Sequence, residues 1–494
     1  MPSVNKNLKR TIIFGITHNF KLMKILLSLS FIVFLTSNTY AQKNKIIDQL
    51  DAKTSFFAGI ANEIWNFAEM GYQEEKSSAL LQQILRDEGF NIVAEVAGMP
   101  TAFIAEYNND GPVIAFLGEY DALPGLSQQA IPEKKSAYKT AGHACGHHLF
   151  GTASAAAAIS VKNWLIENNK KGTVRFYGCP AEEGGSGKVY MTREGLFNDV
   201  DVAIHWHPSA VNAANPGAAL ANKSAKFKFY GVSAHAAGSP EKGRSALDAV
   251  ESMNFMVNMM REHIPQEARI HYVITDGGKA PNVVPDFSEV YYYARHHNRN
   301  IVIDIFNRIL NAAKGAALGT DTKMEYEMIG GTHELLPNLT LQKVMYENLI
   351  DIGGFKYDNE EMEFAKKISN SLGQDQLNTK YSEGVVPYTE DARAYGSTDV
   401  GDVSFTVPTV GMNSATWIPG TPAHSWQAVA AGGTSIGTKG MMIAAKTLTA
   451  TAIDLFSDTT LILEAKREFE NKRGTNFIYI PLLGNRKPAL HYRD

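Results

Sequence analysis

With only two cysteines in 494 residues, Cys145 and Cys179, the chain can close at most one disulfide. No long block of one charge sign occurs, and 47 basic residues nearly balance 51 acidic ones for a net charge of -4. That balance leaves no electrostatic footprint for nucleic acid. Internal repeats and low-complexity segments are absent, and the hydrophobic content of 44% is that of a globular chain large enough for two domains. The one prominent apolar run near the N-terminus extends from Ile25 to Leu35, just after Met23 and Lys24. It is shorter than the roughly 20 residues of a spanning helix. Followed by small and polar residues up to Ala41, it reads as a secretory signal rather than an anchor. Residues 1–22 then form an upstream extension, the mature chain carries no stable membrane span, and its expected location is the periplasm.

What the sequence does contain is a set of metal-ligand residue types in short motifs. Residues 142–148 read Gly-His-Ala-Cys-Gly-His-His, and residues 180–185 read Pro-Ala-Glu-Glu-Gly-Gly. In an extended segment Cys145 and His147 would emerge on one side and converge on an ion. Glu182 and Glu183 then offer a proton acceptor and a ligand. A Cys145–Cys179 disulfide is the rival use of the thiol in an oxidising compartment, but it would consume the site's soft ligand.

Four apolar runs end in ligand-rich turns: residues 113–118 before Glu119 and Asp121, 174–178 before the glutamate pair, 201–204 before His205 and His207, and 407–411 before His424. This is the pattern of a largely parallel α/β sheet flanked by helices, with its site at the strands' carboxyl ends. Helices are expected over residues 74–88 and 151–168. From about residue 222 to 331 the pattern changes to strand, helix, two strands, helix, strand, a ferredoxin-like α+β insert. The domain plan is therefore a 1–41 leader, catalytic segments 42–221 and 332–465 around a 222–331 insert, and a 466–494 tail with no assigned role. In the insert's first helix, Met253, Met256, Met259 and Met260 read as core packing.

The motifs named so far, with Gly-Glu-Tyr-Asp-Ala-Leu-Pro at 118–124, His-Ala-Ala at 235–237, Pro-Asn-Val-Val-Pro at 281–285, Gly-Ser-Thr-Asp at 396–399 and Pro-Ala-His-Ser at 422–425, occur in an order that resembles the M20 family of metallopeptidases and amidohydrolases, in particular its aminoacylase-like branch. The resemblance implies a zinc-exopeptidase-like catalytic domain, and an insert that serves as lid and dimerisation surface, in a homodimer with or without a related second subunit. It implies two divalent ions, Mn2+ or Zn2+, held by Cys145, His147, Glu183, His424 and one of His205 and His207. Strand register favours His207, with Pro208 marking the strand's end. Glu182 becomes the general base, His235 the oxyanion stabiliser, Asn282 and Arg295 the contacts for a substrate carboxylate, and Asp121 the carboxylate that orients a ligand histidine; Glu119 could do likewise or bind metal. His148 departs from the aspartate common in this branch and is compatible with the aminobenzoyl-glutamate type.

The implied reaction is hydrolysis of an amide joining an acyl or aroyl group to an amino acid, as in p-aminobenzoyl-glutamate or an N-acyl amino acid. An M20-type dipeptidase or carboxypeptidase is the neighbouring alternative. Two others come from different chemistry: a Cys145 nucleophile with His147 as base, and a secreted metal-containing binding protein without catalysis.

Overall fold

The computed structural model describes residues 41–493, apart from 216, 218, 391 and 393. The expected signal segment, residues 23–41, falls almost wholly outside the described residues. Residues 41–52 are helical and belong to one unit, and the chain from Lys53 onward forms the other.

Its larger sheet grows from β1 (Asn91–Ala94), β2 (Phe103–Tyr107) and β3 (Val113–Glu119). A small hairpin, β4 (Leu123–Pro124) with β5 (Ala141–Gly142), precedes β6 (Thr173–Cys179) and β7 (Val202–Ser209). The chain then builds a second sheet from β8 (Ala221–Tyr230), β9 (Arg269–Asp276), β10 (Phe287–His296) and β11 (Lys323–Thr332), and returns with β12 (Thr409–Ala415). The larger sheet has the order β1-β2-β6-β3-β7-β12. β6, β3, β7 and β12 run parallel, with β2 and β1 added antiparallel at one edge. Strand β3 is buried along almost its whole length, so it reads as a continuous apolar run. The long helix His147–Glu167, with its buried alanine run, packs on it and against the equally buried helix Ser435–Ser457. At 21 residues His147–Glu167 is long and apolar enough to cross a membrane, but 89% of its most apolar window is enclosed by protein, as in a core helix.

All four ligand-rich turns expected from the sequence follow parallel strands, so they gather at one end of the sheet. Two local expectations need correction. Cys145 and His147 are not in an extended segment: Gly146 is left-handed, with φ 77°, and His147 opens the helix. The pair converges because a tight glycine turn places the thiol just before the helix's first residue. Pro208 does not end its strand, since β7 continues to Ser209 in register with β12. On its other side β3 pairs only with Val202–Ile204 of β7, so a residue lacking an N–H is tolerated beyond that point.

The second sheet is antiparallel throughout, in the order β11-β8-β10-β9. Two helices, Ala246–Met260 and Arg299–Gly319, complete a β-α-β-β-α-β sequence and share a core with the sheet around Phe227, Val250, Met253, Tyr292 and Ile305. Met253 and Met260 are in that core, but Met256 and Met259 are 37% and 60% exposed. The methionine-rich helix therefore has a second apolar stripe that the core does not cover. Residue 466, expected to open the tail, lies inside the helix Thr459–Arg473. The irregular tail starts only after Arg473.

Candidate active site

The gathered turns open into a cavity of about 550 Å³ between the two sheets. Its floor carries Glu119, Cys145, Glu182, Glu183, His205, His207 and His424, and its opposite wall carries Asn222, Tyr293, Arg295 and Thr332 from the second sheet.

Donor atoms of Cys145, His147 and His207 lie within 4.8 Å of one another, and those of Cys145, Glu183 and His424 do the same. Cys145 is shared between the two groups. A third group joins Glu119, His147 and Glu182. The fit to a cation shows in how these atoms meet. His147 Nε2 and Glu119 Oε2 face each other at 3.1 Å, both buried, without forming a hydrogen bond. Cys145 Sγ is 3.3 Å from His207 Nε2, and Glu183 Oε1 is 3.0 Å from His424 Nε2. Thiol, imidazole and carboxylate donors converging in this way form a donor set for a divalent transition metal.

The donors are held from behind. Asp121 Oδ1 lies 2.7 Å from His147 Nδ1, while its Oδ2 accepts from the Glu183 N–H at 2.9 Å. One carboxylate thus orients candidate donors on two elements and leaves Nε2 of the imidazole facing the cluster. Burial alone would raise the Asp121 pKa, but the neighbouring His147 holds it below the usual carboxylate range. His207 is fixed through Nδ1 to the Pro208 carbonyl at 2.7 Å. His424 is left-handed, with φ 59°, and its N–H donates to the Ala144 carbonyl, tying its loop to the one that carries Cys145. His205 belongs to none of the three groups; its Nε2 is buried without a partner and its ring lies against Gly411 on β12. Burial, with Lys188 nearby, takes its pKa down to about 3, so it is neutral.

Glu182 is differently placed from Glu183. Burial and the nearby Glu119, Glu183 and Asp399 carboxylates push its pKa well above the ordinary value. A carboxylate whose charged form is disfavoured is a good proton acceptor. Glu183 is held low against burial by its contacts with His424 and His147.

Sequence reasoning missed Lys188. Its side chain is fully buried, with Nζ 2.6 Å from Glu119 Oε1 and 2.7 Å from Asp399 Oδ1. Burial opposes its charge, but these two carboxylates raise its pKa well above normal. It pins Glu119 beside the ligand cluster and gives the Gly-Ser-Thr-Asp motif its anchor. Nothing local marked it, because both partners are distant in sequence.

Arg295 lies on the cavity wall, 5.1 Å over the Tyr293 ring, with Nε buried and unpartnered. It shares a cross-strand row with Asn222 and Thr332, which bond to each other at 2.8 Å. By contrast, His235 and Asn282 are exposed and do not line the cavity of their own chain. His235 Nδ1 instead accepts from Ala237 and Gly238. His148 points away and bonds to the Gly432 carbonyl.

Both cysteines are free. Cys179 is held in the core with its thiol on the Tyr177 carbonyl. Burial, with Glu183 close by, pushes the Cys145 thiol well above its usual pKa. A thiol held protonated in this way is a poor unassisted nucleophile.

A buried donor cluster at the carboxyl ends of parallel strands, with a separate proton acceptor beside it, defines a metal-dependent hydrolase. The chain belongs to peptidase family M20/M25/M40, whose model matches residues 115–451. It is 42% identical over 472 residues to one of the subunits of p-aminobenzoyl-glutamate hydrolase from Escherichia coli strain K12, covering 90% of this chain and 98% of that one. It is 30% identical over 446 residues to the mouse Xaa-Arg dipeptidase, covering 87% and 92%. A dinuclear metal binding peptidase of the M20 family from Bacillus subtilis shares the fold, with a TM-score of 0.56 at 17% identity over 82% of this chain and 99% of that chain.

Proposed function

We propose that the protein hydrolyses the amide of N-aroyl or N-acyl amino acids, with p-aminobenzoyl-glutamate the first substrate to test. The observation that carries this reading is the pairing of Glu182, beside the donor cluster, with the free Arg295 edge on the facing wall of the same cavity. A guanidinium stacked on tyrosine suits a planar carboxylate. The 42% identity to the E. coli hydrolase subunit supports an aroyl-glutamate substrate.

Cys145, His147, Glu183, His207 and His424 would hold two divalent ions, with Cys145 common to both groups. The thiolate favours zinc, and the carboxylate and imidazole donors also suit manganese. Bound there, such ions supply Lewis acidity at the scissile carbonyl. The chain's own residues do the rest. Arg295 fixes the amino-acid carboxylate, Glu182 takes a proton from the attacking water and returns it to the departing amine, and the cavity walls exclude bulk solvent.

His235 and Asn282 act in this reading across a subunit interface, since neither enters its own cavity. Exposed Phe255 and Met259 on one helix, with Tyr272, Val273 and Ile274 on edge strand β9, support a partner on the second sheet, either another copy or a related subunit. Export through residues 23–41 belongs to the same proposal.

The test is metal analysis of wild type and Glu182→Gln, coupled to a panel of N-acyl and N-aroyl amino acids and dipeptides. Wild type should cleave glutamate conjugates, and the variant should lose on the order of 10²–10⁴-fold in turnover while keeping its metal. A fully metallated wild type that cleaves nothing on the panel refutes the reading. So does a glutamine variant that retains its turnover.

A further inference from the structure

The turn bearing Glu182 and Glu183 is strained. Ala181 and Ser186 adopt left-handed backbone, with φ 55° and 63°, around Gly184 at φ 89°. Two non-glycine residues in that region cost free energy and persist only where their surroundings impose them. Part of the restraint comes from residues near the floor of the site: Glu74 accepts from the Ala181 N–H at 2.8 Å, Asp121 from the Glu183 N–H, and Tyr72 Oη donates to the Gly185 carbonyl at 2.7 Å.

The remaining restraint comes from the tail. Tyr492 Oη and Arg493 Nη2 both donate to the Glu183 carbonyl, at 3.0 and 2.5 Å. Tyr492 packs edge-on against Tyr72 with ring centroids 5.7 Å apart, and a Cβ on Gly71 would come within 2.2 Å of its hydroxyl. The backbone of Glu183 is thus held at its N–H by the carboxylate that orients His147, and at its carbonyl by the tail.

The tail reaches this point as a strap anchored along its length. Tyr479 donates to Asp402 at 2.7 Å, and the Ile480 carbonyl meets His333 Nε2 at 3.0 Å. The Leu482 carbonyl accepts from Lys223 near the start of β8, and Arg486 donates to the Ile329 carbonyl near the end of β11. Gly331 lets the strap cross closely, since a Cβ there would lie 2.7 Å from the Leu482 backbone. Tyr190 and Arg193, just beyond the catalytic turn, donate to the carbonyls of Lys487 and Arg486.

We propose that Tyr492 and Arg493 are positioning residues for the reaction: through the Glu183 carbonyl they fix the turn that aims Glu183 at the metal site and Glu182 at the substrate. They touch neither substrate nor metal. The kinetic arm of the test rests on the hydrolase reading, and the metal arm does not.

The test compares wild type with Tyr492→Phe, Arg493→Ala, the double variant and Arg493→Lys. It measures kcat and KM on an N-aroyl glutamate, the chelator concentration that removes half the metal, and Tm. The double variant should lose at least tenfold in kcat with KM within twofold, and should release metal at a chelator concentration at least tenfold lower. Arg493→Lys, which keeps a cationic donor, should stay within threefold of wild type in both. If the double variant does not fold, Tyr492→Phe decides alone, with an expected threefold loss in kcat and in metal retention. Unchanged kcat and metal retention overturn the proposal. It is equally overturned if turnover and metal retention per folded molecule stay at the wild-type level while Tm falls, because the strap would then be only a stabilising clamp. Weakened metal retention in a protein whose wild type cleaves no glutamate conjugate would sustain the positioning role and remove the substrate reading.

Discussion

Asp121→Asn is the sharpest probe of how the metal cluster is built. Asp121 accepts twice, from His147 Nδ1 at 2.7 Å and from the Glu183 N–H at 2.9 Å. Asparagine has a single acceptor oxygen, so it can serve one of these donors and must turn its NH2 toward the other. Whichever way the amide sits, a charge-assisted hydrogen bond is lost and two donors face each other in a buried place. Loss of such a supporting carboxylate lowers metal affinity or activity by about 10–100-fold, or roughly 1.4–2.7 kcal/mol. Because this carboxylate orients ligands on two elements, the effect should lie at the upper end of that range, with the glutamate-conjugate KM little changed. Competition with a chromogenic chelator gives the metal affinity directly. Asp121→Ala removes both bonds without creating the donor clash, so it should be no worse than Asp121→Asn. Metal affinity within twofold of wild type in Asp121→Asn would refute the assignment of Asp121 as the common support.

Two further outcomes follow from buried charge. Lys188→Met strands the Glu119 and Asp399 carboxylates and should cost about 3–5 kcal/mol at pH 8; because Asp399, which burial already raises to about 6, then takes up a proton more readily when folded than unfolded, the deficit should shrink toward pH 5, and thermal unfolding that shows a pH-independent deficit would count against the triad. His333, buried among Phe405, Phe477 and Tyr479, has its pKa lowered to about 4 by burial. The unfolded chain protonates this histidine first as pH falls from 6.5, so the stability present above 6.5 drains away down to about pH 4, amounting to about 3 kcal/mol from a 1.36 kcal/mol weight per unit. Denaturant unfolding of His333→Phe should show a correspondingly flatter acid limb than wild type, and parallel limbs would remove His333 as the cause.

The sequence carried much of this site because metal chemistry is written in short motifs. Cys145, His147, Glu182, Glu183 and His424 each stand in a motif near the end of an apolar run or the start of a helix, and parallel strands bring such ends together whatever the spacing between them. Features that depend on distant partners left no local trace. Lys188 looks like an ordinary lysine at the start of a short helix until Glu119 and Asp399 are brought beside it. Met256 and Met259 fit helical periodicity as well as Met253 does, and periodicity cannot say that one stripe meets the core while another meets solvent. The tail after Arg473 has no period at all, since its backbone is held by scattered side chains, Lys223 of the second sheet, His333 just after it, and Tyr190 and Arg193 of the helix Gly187–Arg193, rather than by a ladder.

The two cysteines show how topology settles a choice that composition leaves open. Cys179 is the register partner of Glu119 on the adjacent parallel strands β3 and β6, yet it is fully buried and does not line the cavity. It belongs to the buried cluster with Leu117, Tyr177 and Met191, and donates to the Tyr177 carbonyl. Cys145 instead lines the cavity, just before the helix that carries His147. A disulfide would have to draw Cys179 out of a packed core and Cys145 out of both donor groups at once. The core holds one thiol for packing, and the glycine turn presents the other to the donor cluster, so even an oxidising compartment would not by itself bring the two together.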